Sequence, residues 1–521
     1  MTIISAKDEL RDITDTAGTL PSRLVQIAIP INTSLTPLQA YAAMRSHDSS
    51  RYSYLLESVE KEKCHARFSF VGASPLGVIT VKKRDIKVDL FAKTVLIDRI
   101  RSNLKEVCEK VTTTDRMITG QIAAGRDVFD SLRAAIMIGE PNMGIDLGRQ
   151  VFTGGAIGFA AYDCIYDSHL DIEPFQSNIP DAQFVIITET LIFDHLTNRT
   201  YLVKTEGIRD GTDSGKIQAQ IIKRGAEIEE LLAGTTSEDT GEGSDCGVTG
   251  CTADKREFEQ MVRRAKKHII DGDVLQVVLS RRYEIETRKS ACELYQQFRR
   301  VNPSPYMYLF EFEDLSIVGA SPETLLTVKN RKVITNPIAG TCSRGRTPEE
   351  DETLAREMLS SEKERAEHVM LVDLGRNDVR AVAKPGSVVV EDYMSVLKYS
   401  HVQHIESTVT GELRDECDVF DATRAIFPAG TLSGAPKIRA MEIIHDLEEN
   451  ARGVYGGGVG YYCFNGDADF AIVIRTMIKK GDMLYIQAGA GIVADSDPEY
   501  EYNETERKMA AMIQGVLGGL G

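Results

Sequence analysis

What most constrains this chain is the order in which its apolar periodicities arrive. Strand-like runs come in clusters, at 68–71, 78–81 and 86–90, then at 184–193 and 200–204. A helical pattern follows at 216–232, and residues 254–270 form an amphipathic helix. Beyond it, β-like runs at 273–279, 307–311, 317–319, 325–328 and 333–334 precede two helical segments, 348–359 and 362–374. Strands return at 459–464, 470–477 and 483–490, and a last helix spans about 498 to 516. Strands that arrive in groups, instead of alternating with helices, predict an α+β fold with large antiparallel sheets and not a doubly wound parallel sheet. No repeat of solenoid period is apparent.

At 521 residues the chain exceeds one ordinary core. The clearest seam is 233–252, AGTTSEDTGEGSDCGVTGCT, which is nearly free of large apolar groups and reads as a flexible linker. It divides an N-terminal region, 1–232, from a C-terminal region, 253–521. A net charge of −17 opposes nucleic acid and anionic membrane as partners. An anionic substrate would need local positive charge. No stretch of 18 apolar residues occurs, and the polar, acidic N-terminus lacks a signal-peptide pattern, so a cytoplasmic location is expected. Nine irregularly spaced cysteines read as reduced thiols. Tryptophan is absent altogether.

Several segments carry chemistry. Glu364 and Glu367 lie one helical turn apart, as do Glu501 and Glu504. Two such pairs on facing helices would repel unless a cation sat between them, and oxygen ligands suit Mg²⁺. A solvated helix face explains the same spacing. The loop NPIAGTCSRGR offers backbone N–H groups beside Arg344 and Arg346, or is a plain exposed turn. PAGTLSGAPK fails the spacing of a phosphate loop. The glycines at 456–458, 460, 489 and 491 are poor dinucleotide fingerprints, and serve either a close ligand approach or sheet bends. His401 and His404 decide nothing locally.

The order of these segments says more than any one of them. GASPE, PIAGT, SSEKERAEHVMLVDLGRND, YSHVQHIEST, FPAGTLSGAPK, YGGGVGYY, FAIVIRTM and AGAGIVADSDPE, running from Gly319 to just beyond Gly491, resemble the chorismate-utilising enzymes throughout, and the resemblance covers Asp254 to the C-terminus. LLESVE and RFSFVG before the seam resemble the N-terminal region of the large, chorismate-binding subunits of anthranilate synthase (component I). The resemblance implies an α+β sandwich of large antiparallel sheets with helices outside and the N- and C-terminal parts partly interleaved. It implies conversion of chorismate and ammonia to anthranilate and pyruvate, the first step of tryptophan biosynthesis. Residues 1–232 would be a regulatory, tryptophan-binding region and 253–521 the catalytic one.

Two positions separate the activities within the family. Nitrogen-adding members resemble one another in carrying Gln where water-adding isochorismate synthases carry a basic Lys, and here Gln276 stands. Aminodeoxychorismate synthases carry a nucleophilic Lys in PIKGT, and here Ala339 stands. The same motifs imply roles residue by residue. Glu364, Glu367, Glu501 and Glu504 would hold Mg²⁺. Glu323 would be the general acid for loss of the C4 hydroxyl, and His404 would assist loss of pyruvate. Arg475 would bind the enolpyruvyl carboxylate. Gly340, Thr341, Thr431, Tyr455, Gly489, Ala490 and Gly491 would complete the substrate pocket. Leu56, Glu57 and Ser58, with Pro305, Tyr306 and Met307, would line an allosteric tryptophan site. Cys342 departs from the basic residue usual in its loop. No glutamine amidotransferase domain is evident, so a separate glutaminase small subunit in a hetero-oligomer is the expected source of ammonia. The competing readings are an aminodeoxychorismate or isochorismate synthase, and a non-catalytic sensor of the same fold.

Overall fold

A computed structural model describes residues 23–47, 51–58, 67–92, 94, 96–138, 150–208, 214–234, 246–399 and 402–517. The N-terminal segment read above for export signals and His401 lie outside them. Among the described residues, no helix is long and apolar enough to cross a membrane.

Two antiparallel sheets of twelve strands each dominate the described residues, with a three-stranded sheet beside them. The first runs Arg23–Ile31, Arg199–Ile208, Glu189–Asp194, Phe68–Ala73, Tyr52–Glu57, Tyr306–Phe312, Leu315–Ser321, Thr476–Lys480, Met483–Ile492, Gln276–Thr287 and Cys246–Cys251, with Gly434–Ala435 paired onto Gln276–Thr287. The second runs Val389–Val390, Val409–Glu412, Lys332–Thr335, Thr324–Lys329, Ala468–Ile472, Gly458–Cys463, Gly155–Ala160, Ala182–Ile187, Gly77–Lys82, Asp85–Leu90, Met117–Ile122 and Cys108–Thr113. Both sheets therefore join strands from either side of the seam, as the α+β reading with interleaved halves expects. Their facing surfaces meet in one aromatic core that includes Phe70, Phe159, Tyr308, Phe310 and Tyr461. Their other faces are covered by helices, the arrangement that buries both faces of a sheet.

Each sheet is built twice over. Outward from the central pair of the first sheet, the chain visits corresponding strands in the same order on both sides. The central strands carry related sequences, YSYLLE at Tyr52–Glu57 and YMYLFE from Tyr306 to Glu311, and pair with Leu55 opposite Leu309. The next strands both lead into GASP, at 72–75 and 319–322. The second sheet has its centre at Gly158 opposite Gly460. Helix Val128–Ala135 (DVFDSLRA from Asp127) matches helix Val419–Ile426 (DVFDATRA from Asp418), each closed by an Asp–Asp capping box. Even the ion pairs are exchanged across this pseudo-twofold axis. Tyr41 and Arg45 hold Glu311, and Tyr295 and Arg299 hold Glu57. Arg133 reaches Asp418 and Asp421, and Arg424 reaches Asp127 and Asp130. The repeat spans half the chain, far longer than a solenoid period.

Local differences from the sequence reading have physical causes. The run at 184–193 is two strands, Ala182–Ile187 and Glu189–Asp194, which lie in different sheets. The run at 470–477 likewise splits between the sheets, and Arg475 between its parts takes φ of +48°. Gln276–Thr287 is longer than the apolar run that suggested it, because Arg281 is buried between the Tyr283 and Tyr502 rings, each 4.7 Å from its guanidinium carbon. Both flanks of the segment 233–252 belong to regular elements: Ala233 closes helix Ser214–Ala233, and Cys246–Cys251 pairs with Gln276–Thr287 as an edge strand. Small residues weaken a strand but do not forbid an edge position. Residues 235–245 lie outside the described set.

Candidate active site

Glu323 sits in the short turn between Leu315–Ser321 and Thr324–Lys329, where the chain passes from one sheet to the other. It is buried, and Thr431 donates its hydroxyl to Oε1 at 3.0 Å. Burial lifts its carboxyl to about 8, against the Thr431 hydroxyl and the more distant Arg475 charge, which pull the other way. The acid therefore keeps its proton at neutral pH. Thr431 comes from the 3₁₀ turn Gly430–Leu432, just beyond helix Val419–Ile426. A small cavity of about 30 Å³ adjoins Glu323 and Thr431.

His404 lies in the three-stranded sheet formed by Ile338–Ser343, Val402–Glu406 and Ser395–Lys398. Its Nδ1 stands 2.9 Å from the Gly340 carbonyl oxygen and 3.0 Å from the Thr341 hydroxyl. A carbonyl can only accept, so Nδ1 carries the proton and Nε2 the lone pair. Among the described residues, buried Nε2 has no hydrogen-bond partner. Burial holds the imidazole down at about 4, with the Arg475 charge acting in the same direction, so the ring is neutral. Gly340 needs its φ of +60°, and a Cβ there would stand 3.1 Å from Glu364 Oε2. Burial lowers the pKa of Arg475, against the opposing pull of Tyr399 and Glu323, and the guanidinium stays charged.

The proposed metal ligands come from two helices, Glu362–Arg380 and Pro498–Leu517. Burial and then the Glu364 charge raise Glu367, with Glu504 adding to it. Burial and Glu504 likewise raise Glu501. The four carboxylates thus share one field, and the oxygen-only donor set fits Mg²⁺ in chemistry. Lys508 ties its own helix to strand Met483–Ile492, contacting Glu504 of the same helix at 2.7 Å and the Gly489 carbonyl at 2.8 Å. Among the described residues, no three acidic, His or Cys side chains are gathered closely enough to close a metal-ligand shell as they stand.

Gln276 links the carboxylates to the glycine strand. Its amide hydrogen-bonds Glu367, and a Cβ on Gly491 would run into its Nε2. Its Oε1 is buried and, among the described residues, unpartnered. A Cβ on Gly489 would stand 3.0 Å from the Tyr455 hydroxyl, so those two also meet. Ala490 does not join them: its methyl packs on the opposite face with Phe258, Val262 and Val277, leaving only its backbone to a ligand. This follows from strand alternation.

Sequence reasoning missed the network beneath Tyr455. Arg452 is buried, paired with Glu448 at 2.6 Å, and donates to the carbonyls of Leu432 and Val278 at 2.7 Å each. It ties the Thr431 turn to the Gln276 strand. Its i,i+4 spacing from Glu448, just before a glycine run, is a signal that could have found it. A cavity of about 210 Å³ opens beside Arg452 and Tyr455.

The six residues read as an inhibitor site come together. Leu56, Glu57, Ser58, Pro305, Tyr306 and Met307 all line one cavity of about 430 Å³ between the two sheets. Phe70 and Tyr461 lie edge-to-face at its wall, 6.1 Å between centroids. The Tyr306 hydroxyl donates to Asp469 at 3.0 Å, and burial raises that carboxyl to about 6.

Residues 108–514 match the family model described as chorismate binding enzyme. The chain belongs to that family of chorismate-binding enzymes. Within it, the chain groups with the proteins called anthranilate synthase component 1. It is 47% identical to one from Haloarcula marismortui, covering 95% of this chain and 92% of that protein. It is 45% identical to one from Haloferax volcanii, covering 95% and 94%. The crystal structure of anthranilate synthase component I from Streptococcus pneumoniae superposes with a TM-score of 0.69 at 37% identity, covering 93% of this chain and 98% of that one. The Escherichia coli isochorismate synthase MenF shares the fold, with a TM-score of 0.65 at 18% identity over 98% of both chains.

Proposed function

We propose that the chain is an anthranilate synthase, aminating chorismate with ammonia at C2 with loss of the C4 hydroxyl and then eliminating pyruvate to form anthranilate. The observation that carries this reading is the pairing of a protonated, buried Glu323 with a neutral His404 whose Nε2 has no hydrogen-bond partner among the described residues, the Arg475 charge acting on both. Glu323 gives its proton to the departing hydroxyl as the ammonia nitrogen bonds to C2. His404 Nε2 then takes the C2 proton as the enolpyruvyl group leaves, and aromatisation drives that step. Each transfer suits a general acid and a general base at neutral pH. Arg475 offers a fork to the enolpyruvyl carboxylate, with Gly340, Thr341, Thr431, Tyr455 and Gly489 around the ring.

Nitrogen is favoured over water at Gln276. An amide cannot deprotonate water, whereas its orphaned Oε1 can accept a hydrogen bond from ammonia. Ala339, a buried methyl, offers no covalent route. Glu364, Glu367, Glu501 and Glu504 would hold Mg²⁺, which when bound offsets the charge of the ring carboxylate. The large cavity takes tryptophan as feedback inhibitor, its aromatic wall meeting the indole and Glu57 and Asp469 the ammonium. The relatives' designation as component 1 supports a second component; its proposed role is that of a glutaminase delivering ammonia within a cytoplasmic hetero-oligomer.

The test mixes purified chain with chorismate, Mg²⁺ and ammonium and follows anthranilate fluorescence. Mg²⁺-dependent fluorescence is expected. Chorismate consumed into an isochorismate or amino intermediate would move the assignment to a sister activity, and no consumption by folded protein would favour a sensor.

A further inference from the structure

Tyr399 stands between the large cavity and the catalytic centre. It follows strand Ser395–Lys398, and it lines the cavity together with Leu397 and Glu406 of the same small sheet. It also meets the His404 ring edge-to-face, with centroids 5.6 Å apart and planes at 66°. Its hydroxyl donates to the Pro322 carbonyl at 3.2 Å, one residue before Glu323, and Pro322 lines the cavity as well. Its own carbonyl is held by Arg344, which Asp351 orients through a two-pronged ion pair. Leu397 lies directly opposite His404 in the strand pairing. The three-stranded sheet therefore presents part of itself to the cavity while carrying the imidazole.

We propose that Tyr399 couples the two sites: a ligand filling the cavity displaces the Tyr399 ring, and the displacement moves His404 and the Pro322–Glu323 turn out of register with each other. This rests on the reading of the cavity as a tryptophan site. Packed rings have few alternative arrangements, so a small push at one face becomes a discrete shift at the other. Tryptophan inhibits only as far as it binds the shifted state more tightly, and chorismate must weaken tryptophan binding by the same factor.

The chain contains no tryptophan, so the emission of added tryptophan reads its binding with no indole background from the protein. Binding is measured with and without chorismate in wild type, Tyr399→Leu and Tyr399→Phe, beside inhibition of each variant relative to its own uninhibited rate. In Tyr399→Leu, tryptophan affinity is expected to stay within about threefold, while the mutual weakening by chorismate falls by about tenfold, a typical coupling factor. Tyr399→Phe keeps the ring and loses only the bond to Pro322, so it should lose part of the coupling. A Tyr399→Leu enzyme that binds tryptophan and is inhibited like wild type overturns the proposal and leaves the cavity reading intact. If Tyr399→Leu no longer binds tryptophan, Tyr399→Phe decides, and unchanged coupling there overturns the proposal. Wild type that does not bind tryptophan at all removes the cavity reading and the coupling with it.

Discussion

Thr431, in the turn just beyond helix Val419–Ile426, donates to Glu323 at 3.0 Å, a bond that joins residues 108 apart in the chain. The Glu323 carboxyl keeps its proton up to about pH 8 because burial outweighs that bond. Activity at fixed free ammonia should therefore decline as pH rises through about 8. Glu323→Gln should lower kcat by roughly 10²–10⁴ and remove that limb. The stability sign follows from the same shift. The folded state retains a proton that the unfolded chain releases above 4.5, so stability declines between about 4.5 and 8. Urea titrations at pH 6 and 9 should show a smaller loss in Glu323→Gln. Equal pH dependence in the variant would refute the assignment.

His404 behaves in the opposite sense, since burial depresses it to about 4. It is a competent base throughout the neutral range, and His404→Ala should stop the elimination more than the amination. Chromatography of quenched reactions should reveal an amino intermediate with little anthranilate. Thr341→Val, which leaves the Gly340 carbonyl to fix the tautomer, should cost only several-fold.

For the carboxylates, burial and then mutual repulsion raise Glu367 and Glu501, and this predicts a split result. Without Mg²⁺, Glu367→Gln should melt no lower than wild type, because a repulsive charge is gone. With Mg²⁺ at about 100 times its dissociation constant, wild type should gain about 2.7 kcal/mol and the variant much less. A variant stabilised as strongly as wild type would place the metal elsewhere.

In the doubled strands, Ser58 corresponds to Phe312, which packs in the aromatic core against Phe310 at 5.2 Å. Ser58→Phe should fill the large cavity with the side chain that its counterpart already carries. Tryptophan binding, read by ligand emission, should weaken at least tenfold with the melting temperature little changed.

Arg452→Met strands Glu448 as a buried charge, and a loss of about 3–5 kcal/mol in urea unfolding is expected. The double variant Arg452→Met with Glu448→Leu should recover much of it.

The legibility of this molecule in its sequence varied with the range of the interaction. Local periodicity placed helix Lys255–Ile270 and strand Met483–Ile492 within a few residues. It could not show that 470–477 crosses between sheets, because Ile472 and Met477 are apolar on both sides of the break. The ordered motifs singled out His404, Gly340 and Thr341, which meet directly, and Glu323, which shares the Arg475 charge with His404. Tyr399 was passed over because its meaning depends on what lies on each side of a ring. Arg281 was passed over because a charged residue in a strand reads as exposed until Glu506 and two tyrosines are found around it. The half-chain repeat escaped because GASP and DVFD recur too far apart to register as a period.

The exchanged pairs, Arg45 with Glu311 and Arg299 with Glu57, are what a homodimer would look like after its two subunits were spliced into one chain. Splicing frees mirror-related positions to diverge. Among the described residues, one side has Ser58 beside the hollow where the other carries Phe312, and only one bears the small sheet that holds the imidazole. Ser58 and the imidazole of His404 thus stand on opposite copies of the same scaffold, while the cavity draws its walls from both, across a seam of packed strands instead of an interface that could dissociate.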